Sequence, residues 1–112
     1  MTIMYLEEND FNRDMLTFPE AQYKTVIIFI MSDNCIYCKQ VKPVFEQFAL
    51  RNPNIFCAYV DVNDPRGQNL LKKMQYRLQG VPDFLKFIKG KRVKQQIKGR
   101  TLNDFIAFSK MY

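Results

Sequence analysis

The chain has 112 residues, of which 47% are apolar, so a hydrophobic core can form without disulfide staples. Ten Phe and six Tyr supply bulky core material, while four Gly and five Pro are too few for a collagen-like or disordered chain. Three cysteines are too few for a disulfide framework, and the odd count predicts at least one free thiol.

The net charge of +6 is unevenly spread along the chain. Residues 1–34 hold six acids and two bases, whereas the remainder holds fifteen bases and five acids. We interpret the basic run from Lys86 to Arg100 as a solvated hairpin whose lysines protect a sheet edge. Nucleic-acid binding is not favoured, because no aromatic-interleaved basic motif is present. An acidic protein partner, attracted by electrostatic steering, stays open.

No targeting segment is visible in the sequence. The N-terminal "MTIMYLEEND" lacks the basic and long apolar regions of a signal peptide, and the final "SKMY" is not an ER-retention signal. No apolar run is long enough to span a membrane. We therefore expect a cytoplasmic location in a reducing compartment, with a removed leader or a virion location as the alternatives.

The first half of the chain predicts strands alternating with helices. Residues 2–6 suit a short edge strand, and Asp10 suits the N-cap of a helix that carries Phe11, Met15 and Leu16 and ends by Pro19. The run "TVIIFIM", residues 25–31, is apolar without alternation, which is typical of a strand buried on both faces. From Cys35 the period becomes helical, and "RNPN" at 51–54 ends that helix. Its predicted buried face comprises Val41, Val44, Phe45 and Phe48.

The second half predicts one more helix-to-strand crossover, then a hairpin and a final helix. Residues 55–62 form a second buried strand, and residues 70–78 present a third helix face. A strand at 81–88, a tight turn at 89–91 and a polar strand at 92–98 near a sheet edge follow. Thr101 and Asp104 form a capping-box-like pair before a helix that buries Leu102, Phe105 and Ile106. The order β-α-β-α-β-α-β-β-α predicts one α/β domain, residues 1–112, around a mixed sheet.

The stretch "SDNCIYCK", residues 32–39, places two cysteines at the junction of a buried strand and a helix. Cys35 falls at the helix N-terminus, where unpaired N–H groups and the helix dipole favour a thiolate. Cys38 follows three residues later on the same face of the helix. One attacking thiolate and one resolving thiol are the minimum equipment for thiol–disulfide exchange.

The chain resembles the thioredoxin-like superfamily, as a divergent thioredoxin or protein disulfide isomerase-type domain, over nearly its full length. The resemblance rests on the element order, the CxxC junction with Lys39 and Pro43 after it, "YVDVND" at 59–64, and "GVPDF" at 80–84. It implies a thioredoxin fold with helices on both faces of the sheet, Cys35 as nucleophile and Cys38 as buried resolving thiol. It also implies a cis Val81–Pro82 bond, with the Val81 backbone facing an extended substrate.

Several positions depart from the family pattern. Asn34 replaces the usual Trp, and Ile36 and Tyr37 replace Gly-Pro or Gly-His between the cysteines. We expect this pair to form an exposed recognition surface. Phe29 replaces the buried Asp or Glu that accepts the resolving thiol's proton, and Tyr59 replaces the lysine that pairs with that acid.

Two residues are candidates to compensate for the missing acid. Asp83 follows the proline, and Arg100 resembles an arginine near the resolving cysteine of disulfide-isomerase domains. A polar residue at a strand entry and a solvated loop charge are the plain alternatives for these two positions.

Two functions stay open. The first is a thiol–disulfide oxidoreductase acting on protein disulfides with an unidentified recycling reductase or oxidase. The second is a thioredoxin-fold binding or scaffold protein with weak or vestigial redox activity. A zinc site lacks ligands because the chain has no His, haem attachment requires His where Lys39 stands, and no cofactor is expected. Cys57 is predicted to be a small buried hydrophobe.

Overall fold

A seven-stranded mixed sheet organises the computed structural model, which describes residues 3–110. The spatial order of its strands is β1-β5-β4-β6-β7-β3-β2. The strands are β1 (Met4–Tyr5), β2 (Phe11–Asn12), β3 (Met15–Leu16), β4 (Thr25–Met31), β5 (Ile55–Asp61), β6 (Asp83–Ile88) and β7 (Lys91–Val93). The α-helices are α1 (Ile36–Arg51), α2 (Pro65–Lys73) and α3 (Leu102–Lys110). Short 3₁₀ turns occupy Glu8–Asp10 and Pro19–Gln22.

The central strand β4 confirms the strand predicted from its unbroken apolar run. Every residue of β4 after Thr25 is buried, and the strand pairs in parallel with β5 and antiparallel with β6. Such a strand needs apolar side chains on both faces, because both are covered by other elements.

Two hydrophobic clusters lie on opposite faces of the sheet. On one face, α1 and α3 cover Phe29, Met31 and Phe84. On the other, α2 and the N-terminal segments cover Val26, Ile28 and Ile30. The predicted α/β thioredoxin fold, with helices on both faces, is therefore confirmed.

The helix predicted to start at Asp10 is wrong, because residues 11–16 form a β-hairpin. Phe11 lies opposite Leu16, and both side chains are buried on the same face. Arg13 and Asp14 make the turn with left-handed φ angles of 51° and 65°. Asp10 instead closes the preceding 3₁₀ turn by accepting a hydrogen bond from the Glu7 backbone N–H at 2.9 Å.

The basic run is less solvated than predicted. Lys86 is fully buried under α3, and its ammonium donates hydrogen bonds to Gln95 Oε1 at 2.7 Å and to the Phe108 carbonyl at 2.8 Å. Burial lowers the pKa of Lys86, and these acceptors offset the cost of burying its charge. The edge of β7 is also covered, because β3 pairs with it.

Two predicted elements are shorter in the structure. The helix α2 ends at Lys73, before Leu78, and Gln75 then adopts a left-handed φ of 57°. The polar strand predicted at 92–98 is regular only as far as Val93. Within residues 3–110, no helix is long and apolar enough to cross a membrane.

We predict that Gly67→Ala destabilises the protein, because a Cβ at this position would lie 2.2 Å from the Asp61 carbonyl oxygen. Relief of this overlap must push α2 away from the end of β5, which costs about 1–3 kcal/mol. Urea unfolding measures the change, and Asn69→Ala, on an exposed position of α2, is the control. An unchanged or higher free energy of unfolding for Gly67→Ala would contradict the close approach.

Candidate active site at the Cys35–Cys38 turn

The two cysteines lie where β4 ends and α1 begins. Ser32 shapes this junction: its carbonyl accepts from the Cys35 N–H at 3.2 Å, and its hydroxyl accepts from the Asn63 amide at 2.7 Å. Cys35 is the N-cap of α1, and its sulfur accepts a hydrogen bond from the Cys38 backbone N–H at 3.1 Å. The Cys38 N–H, one of the N–H groups that the start of a helix leaves unpaired, therefore points at the Cys35 sulfur.

The exposure of the two thiols follows the expected order. Cys35 is partly exposed, whereas Cys38 is only 2% exposed. Burial raises the pKa of Cys38 to about 11, assisted by its hydrogen bond to Cys35. Burial also acts against ionisation of Cys35, but hydrogen bonds from the Cys38 thiol and from the Cys38 and Tyr37 backbone, with the Arg100 charge, lower its pKa overall.

The segment before β6 faces the Cys35 sulfur. The Val81–Pro82 peptide bond, which the resemblance implies to be cis, is cis in the structure. The Cys35 sulfur lies 3.6 Å from the Val81 carbonyl oxygen, so thiol and backbone share one side of the site. A proline here has no N–H to compete for that surface.

An exposed apolar surface adjoins Cys35. Ile36 and Tyr37 are 65% and 58% exposed. The Arg100 guanidinium lies 6.0 Å from the centroid of the Tyr37 ring, which brings this loop residue to the cysteines. Lys39 also lies on α1, and its exposed side chain makes none of the hydrogen bonds or salt bridges within residues 3–110.

Aromatic rings fill the space beneath Cys38. Phe29 is fully buried, with its ring centroid 5.3 Å from that of Phe45, 5.8 Å from Tyr59 and 4.8 Å from Phe84. Packing with aromatic side chains therefore replaces the acid and base pair at positions 29 and 59.

Asp83 is engaged elsewhere and is not turned toward the cysteines. One of its carboxylate oxygens accepts a hydrogen bond from the Tyr76 hydroxyl, and the other accepts from the Phe84 N–H at 2.8 Å. Burial, together with Asp83, raises the pKa of Tyr76 to about 12. Of the two candidates to replace the missing acid, only Arg100 acts on the pKa values of both cysteines.

The third cysteine is separate from this site. Cys57 is buried in β5, and desolvation raises its pKa to about 12, which is typical of an unreactive thiol. Within the described part of the chain, no group of three Cys, Asp or Glu side chains is placed to hold a metal ion.

A mixed sheet covered by helices on both faces, with a close cysteine pair at the start of α1 beside a cis proline, defines a protein of the thioredoxin fold. The chain belongs to the Thioredoxin family, whose sequence model matches residues 2–111. It is 26% identical over 125 aligned positions, covering 95% of this chain and 91% of the relative, to a protein named as thioredoxin-like, 453L of Invertebrate iridescent virus 6.

Solved structures share the fold. Human ERp44 in its zinc-bound form superposes with a TM-score of 0.74 at 17% identity, covering 97% of this chain. The chain spans only 30% of the length of ERp44. Fasciola hepatica thioredoxin superposes with a TM-score of 0.65 at 20% identity, covering 80% of this chain and 81% of that one. Oxidised mitochondrial thioredoxin 3 of Saccharomyces cerevisiae gives 0.65 at 18% identity, with 81% of each chain covered.

Sequence analysis missed the surroundings of Asp83. The Arg92 guanidinium lies 4.7 Å from the centroid of the Tyr76 ring, so Arg92, Tyr76 and Asp83 form one connected group beside Pro82. The excess of bases in residues 86–100 was the available signal, but a sequence does not tell which of those bases converge.

We predict that iodoacetamide modifies Cys35 before Cys38 or Cys57 in the reduced protein. The alkylation rate of Cys35 should rise with pH to a midpoint below that of a free cysteine, because its pKa is lowered. Arg100→Gln should move this midpoint upward, since the Arg100 charge favours the thiolate. Arg51→Gln, at the far end of α1, is the matched control and should leave it unchanged. Mass mapping that finds Cys38 modified first would reverse the assignment.

Proposed function

We propose that this protein is a thiol–disulfide oxidoreductase that exchanges disulfides with protein substrates, with Cys35 as nucleophile and Cys38 as resolving thiol. The observation that carries the proposal is the Cys35 sulfur itself. It caps α1, accepts the Cys38 N–H at 3.1 Å and lies 3.6 Å from the Val81 carbonyl on the exposed side of the site. The Cys38 N–H at the start of α1 favours a thiolate, and the partial exposure of Cys35 lets a substrate disulfide reach it.

Reduction of a substrate takes two exchanges. The Cys35 thiolate attacks one sulfur of the substrate disulfide, forming a mixed disulfide and releasing the other sulfur as a thiolate. Cys38 then loses its proton and attacks the Cys35 sulfur, which forms the Cys35–Cys38 disulfide and releases the second substrate thiolate. Two electrons pass to the substrate, and an external dithiol must return two to the protein. Oxidation of a substrate dithiol is the same sequence reversed, with an external disulfide as the oxidant.

The second exchange is the slow one in this proposal. Cys38 has a pKa raised to about 11, mainly by burial, so only a small fraction is thiolate near neutral pH. A nearby carboxylate would accept the proton as general base, but Phe29 occupies that position and packs against Phe45 and Phe84. Mixed disulfides should consequently persist longer than in a thioredoxin that retains the acid.

The substrate surface consists of the exposed Ile36 and Tyr37 side chains and the Val81 backbone. An extended chain laid beside Val81 gains main-chain hydrogen bonds, as in strand addition. The exposed apolar pair adds contact area that a small disulfide cannot use.

A second candidate function is a thioredoxin-fold binding or scaffold protein with weak redox activity. The specific observation in its favour is the aromatic packing of Phe29 and Tyr59, which replaces the ionisable pair used for rapid turnover. A slow second exchange would itself retain bound partners.

We predict that the protein catalyses reduction of insulin by dithiothreitol. Cys35→Ser should abolish the activity, since the nucleophile is lost. Cys38→Ser should also stop turnover and should accumulate a mixed disulfide that is visible on a non-reducing gel. Cys57→Ser, a buried change outside the site, is the control and should retain activity. A rate no higher than that of dithiothreitol alone would favour the binding or scaffold function.

We predict that decay of a pre-formed mixed disulfide at Cys35 is limited by ionisation of Cys38. Its rate should rise about tenfold per pH unit from pH 7 to pH 9, because the thiolate fraction grows in that proportion below a pKa of about 11. Phe29→Asp should accelerate decay at pH 7 at least about tenfold by supplying a base. It should also lower the free energy of unfolding by about 3–5 kcal/mol.

Phe29→Leu is the control for this experiment, because it alters the packing of the aromatic cluster without adding an acid. It should leave the decay rate within about twofold of the wild type. If Phe29→Asp does not fold, the pH dependence of the wild type still decides the question. A pH-independent decay as fast as in a thioredoxin that retains the acid would show that position 29 does not limit exchange.

A further inference from the structure

A broad cleft lies beside Pro82. Its volume is about 730 Å³, and its walls are Tyr76, Arg77, residues 79–84, Arg92 and residues 96–100. The size falls within the range of about 300–1,000 Å³ that is usual for binding clefts. Because Val81 and Arg100 both line it, the cleft is continuous with the surface that faces the Cys35 sulfur.

The charge of this cleft is strongly one-sided. It has four basic side chains, Arg77, Arg92, Lys98 and Arg100, and a single acid, Asp83. All four bases are exposed, and none forms a salt bridge within residues 3–110. Asp83 accepts hydrogen bonds from the Tyr76 hydroxyl and the Phe84 N–H, and it forms no salt bridge with these bases within residues 3–110.

Part of this basic surface is held in place before any ligand arrives. The Arg92 guanidinium stacks over Tyr76 at 4.7 Å, and the Tyr76 hydroxyl donates to Asp83 at the start of β6. Arg100 lies over the Tyr37 ring at 6.0 Å. Side chains positioned in this way lose less conformational entropy on binding an anion than free surface lysines do.

We propose that this cleft binds an acidic segment of the polypeptide whose disulfide meets Cys35, so that the protein prefers disulfides flanked by Asp and Glu. The substrate preference rests on the proposed oxidoreductase function. Carboxylates spaced along an extended chain would meet Arg92 and Arg100 as guanidinium partners, with Arg77 and Lys98 at the rim. The chain would lie beside the Val81 backbone as its cysteine approaches the nucleophile.

The lining of the cleft favours an acidic polypeptide over a nucleic acid. Single-stranded nucleic acids are bound on exposed aromatic faces beside basic grooves. Of the two aromatic residues in the lining, Phe84 is buried and Tyr76 is covered by Arg92. The cleft thus offers charge without a stacking platform.

The test uses two charge-matched double variants of the full chain. Arg77→Gln with Lys98→Gln removes two charges from the cleft. Arg51→Gln with Lys72→Gln removes the same two residue types from the C-terminal turns of α1 and α2. Both variants have net charge +4, because each removes two from +6. Any difference between them reports the position of the charge and not its total.

The first measurement is binding, which does not require turnover. Fluorescence anisotropy compares a labelled ten-residue peptide carrying four Glu, the same peptide with Gln in their place, and a single-stranded oligonucleotide. We expect the Glu peptide to bind at least about tenfold tighter than the Gln peptide at low salt, since several exposed charges each contribute a few-fold. The cleft variant should reduce this difference to about threefold, because Arg92 and Arg100 remain, and the control variant should keep it.

The second measurement is the kcat/KM for reduction of two disulfide peptides, one flanked by Glu and one by Gln. We expect a preference of about tenfold for the Glu peptide, which the cleft variant reduces to about threefold while its kcat/KM for the Gln peptide is unchanged. If neither peptide is reduced, the proposed oxidoreductase function is wrong. The binding measurement still tests whether the cleft binds acidic peptides. Any of three results would overturn the proposal. The first is equal affinity for the two peptides, and the second is an equal loss in both double variants. The third is an oligonucleotide that binds tighter than the Glu peptide through Arg77 and Lys98.

Discussion

The exclusion of water from both faces of β4 is the constraint on which the rest of the structure depends. A strand buried in this way must be covered by α1 and α3 on one side and by α2 on the other. Its end at Met31 leads directly into the Ser32 turn, and this turn sets Cys35 as the cap of α1. The position of the reactive sulfur therefore follows from the packing of the sheet, and the helix N-terminus supplies the electrostatics.

The same dry interior sets the chemical difference between the two thiols. Cys35 lies at the surface, where N–H donors favour its thiolate, whereas Cys38 lies over an aromatic layer that disfavours charge. An acid at position 29 would be buried, and burying a charged side chain is costly unless a partner offsets the cost. Phe29 and Tyr59 contribute packing there instead, so the aromatic core stabilises the fold, and the proposed second exchange has no base at position 29.

The charged residues are unevenly distributed, and several bases lie in the cleft beside the candidate site. The acids are concentrated in the first third of the sequence, while the bases that line the cleft come from three later parts of the chain, at Arg77, at Arg92 and at residues 98–100. Lys86 belongs to the same basic run, yet it points into the core and is held by Gln95 and the Phe108 carbonyl. Bases that are neighbours in the sequence thus lie in different places in the structure. Lys86 is buried in the core, whereas several exposed bases line the cleft.

The sequence by itself determined the elements whose signals are local and continuous. Four such features appear as predicted, and each depends on neighbours a few residues away. They are the apolar run at 25–31, the helical period after Cys35, the spacing of the two cysteines and the Thr101–Asp104 cap.

The tertiary structure alone decided the features that depend on distant partners. The spacing of Phe11, Met15 and Leu16 suits a helix as well as a hairpin, and Arg13 and Asp14 carry no glycine signal for the turn. Lys86 is buried because α3 supplies its acceptor, and Arg77, Arg92 and Arg100 converge because the sheet brings three separate segments together. Periodicity records which way a side chain points from its own strand or helix, but not what lies opposite it.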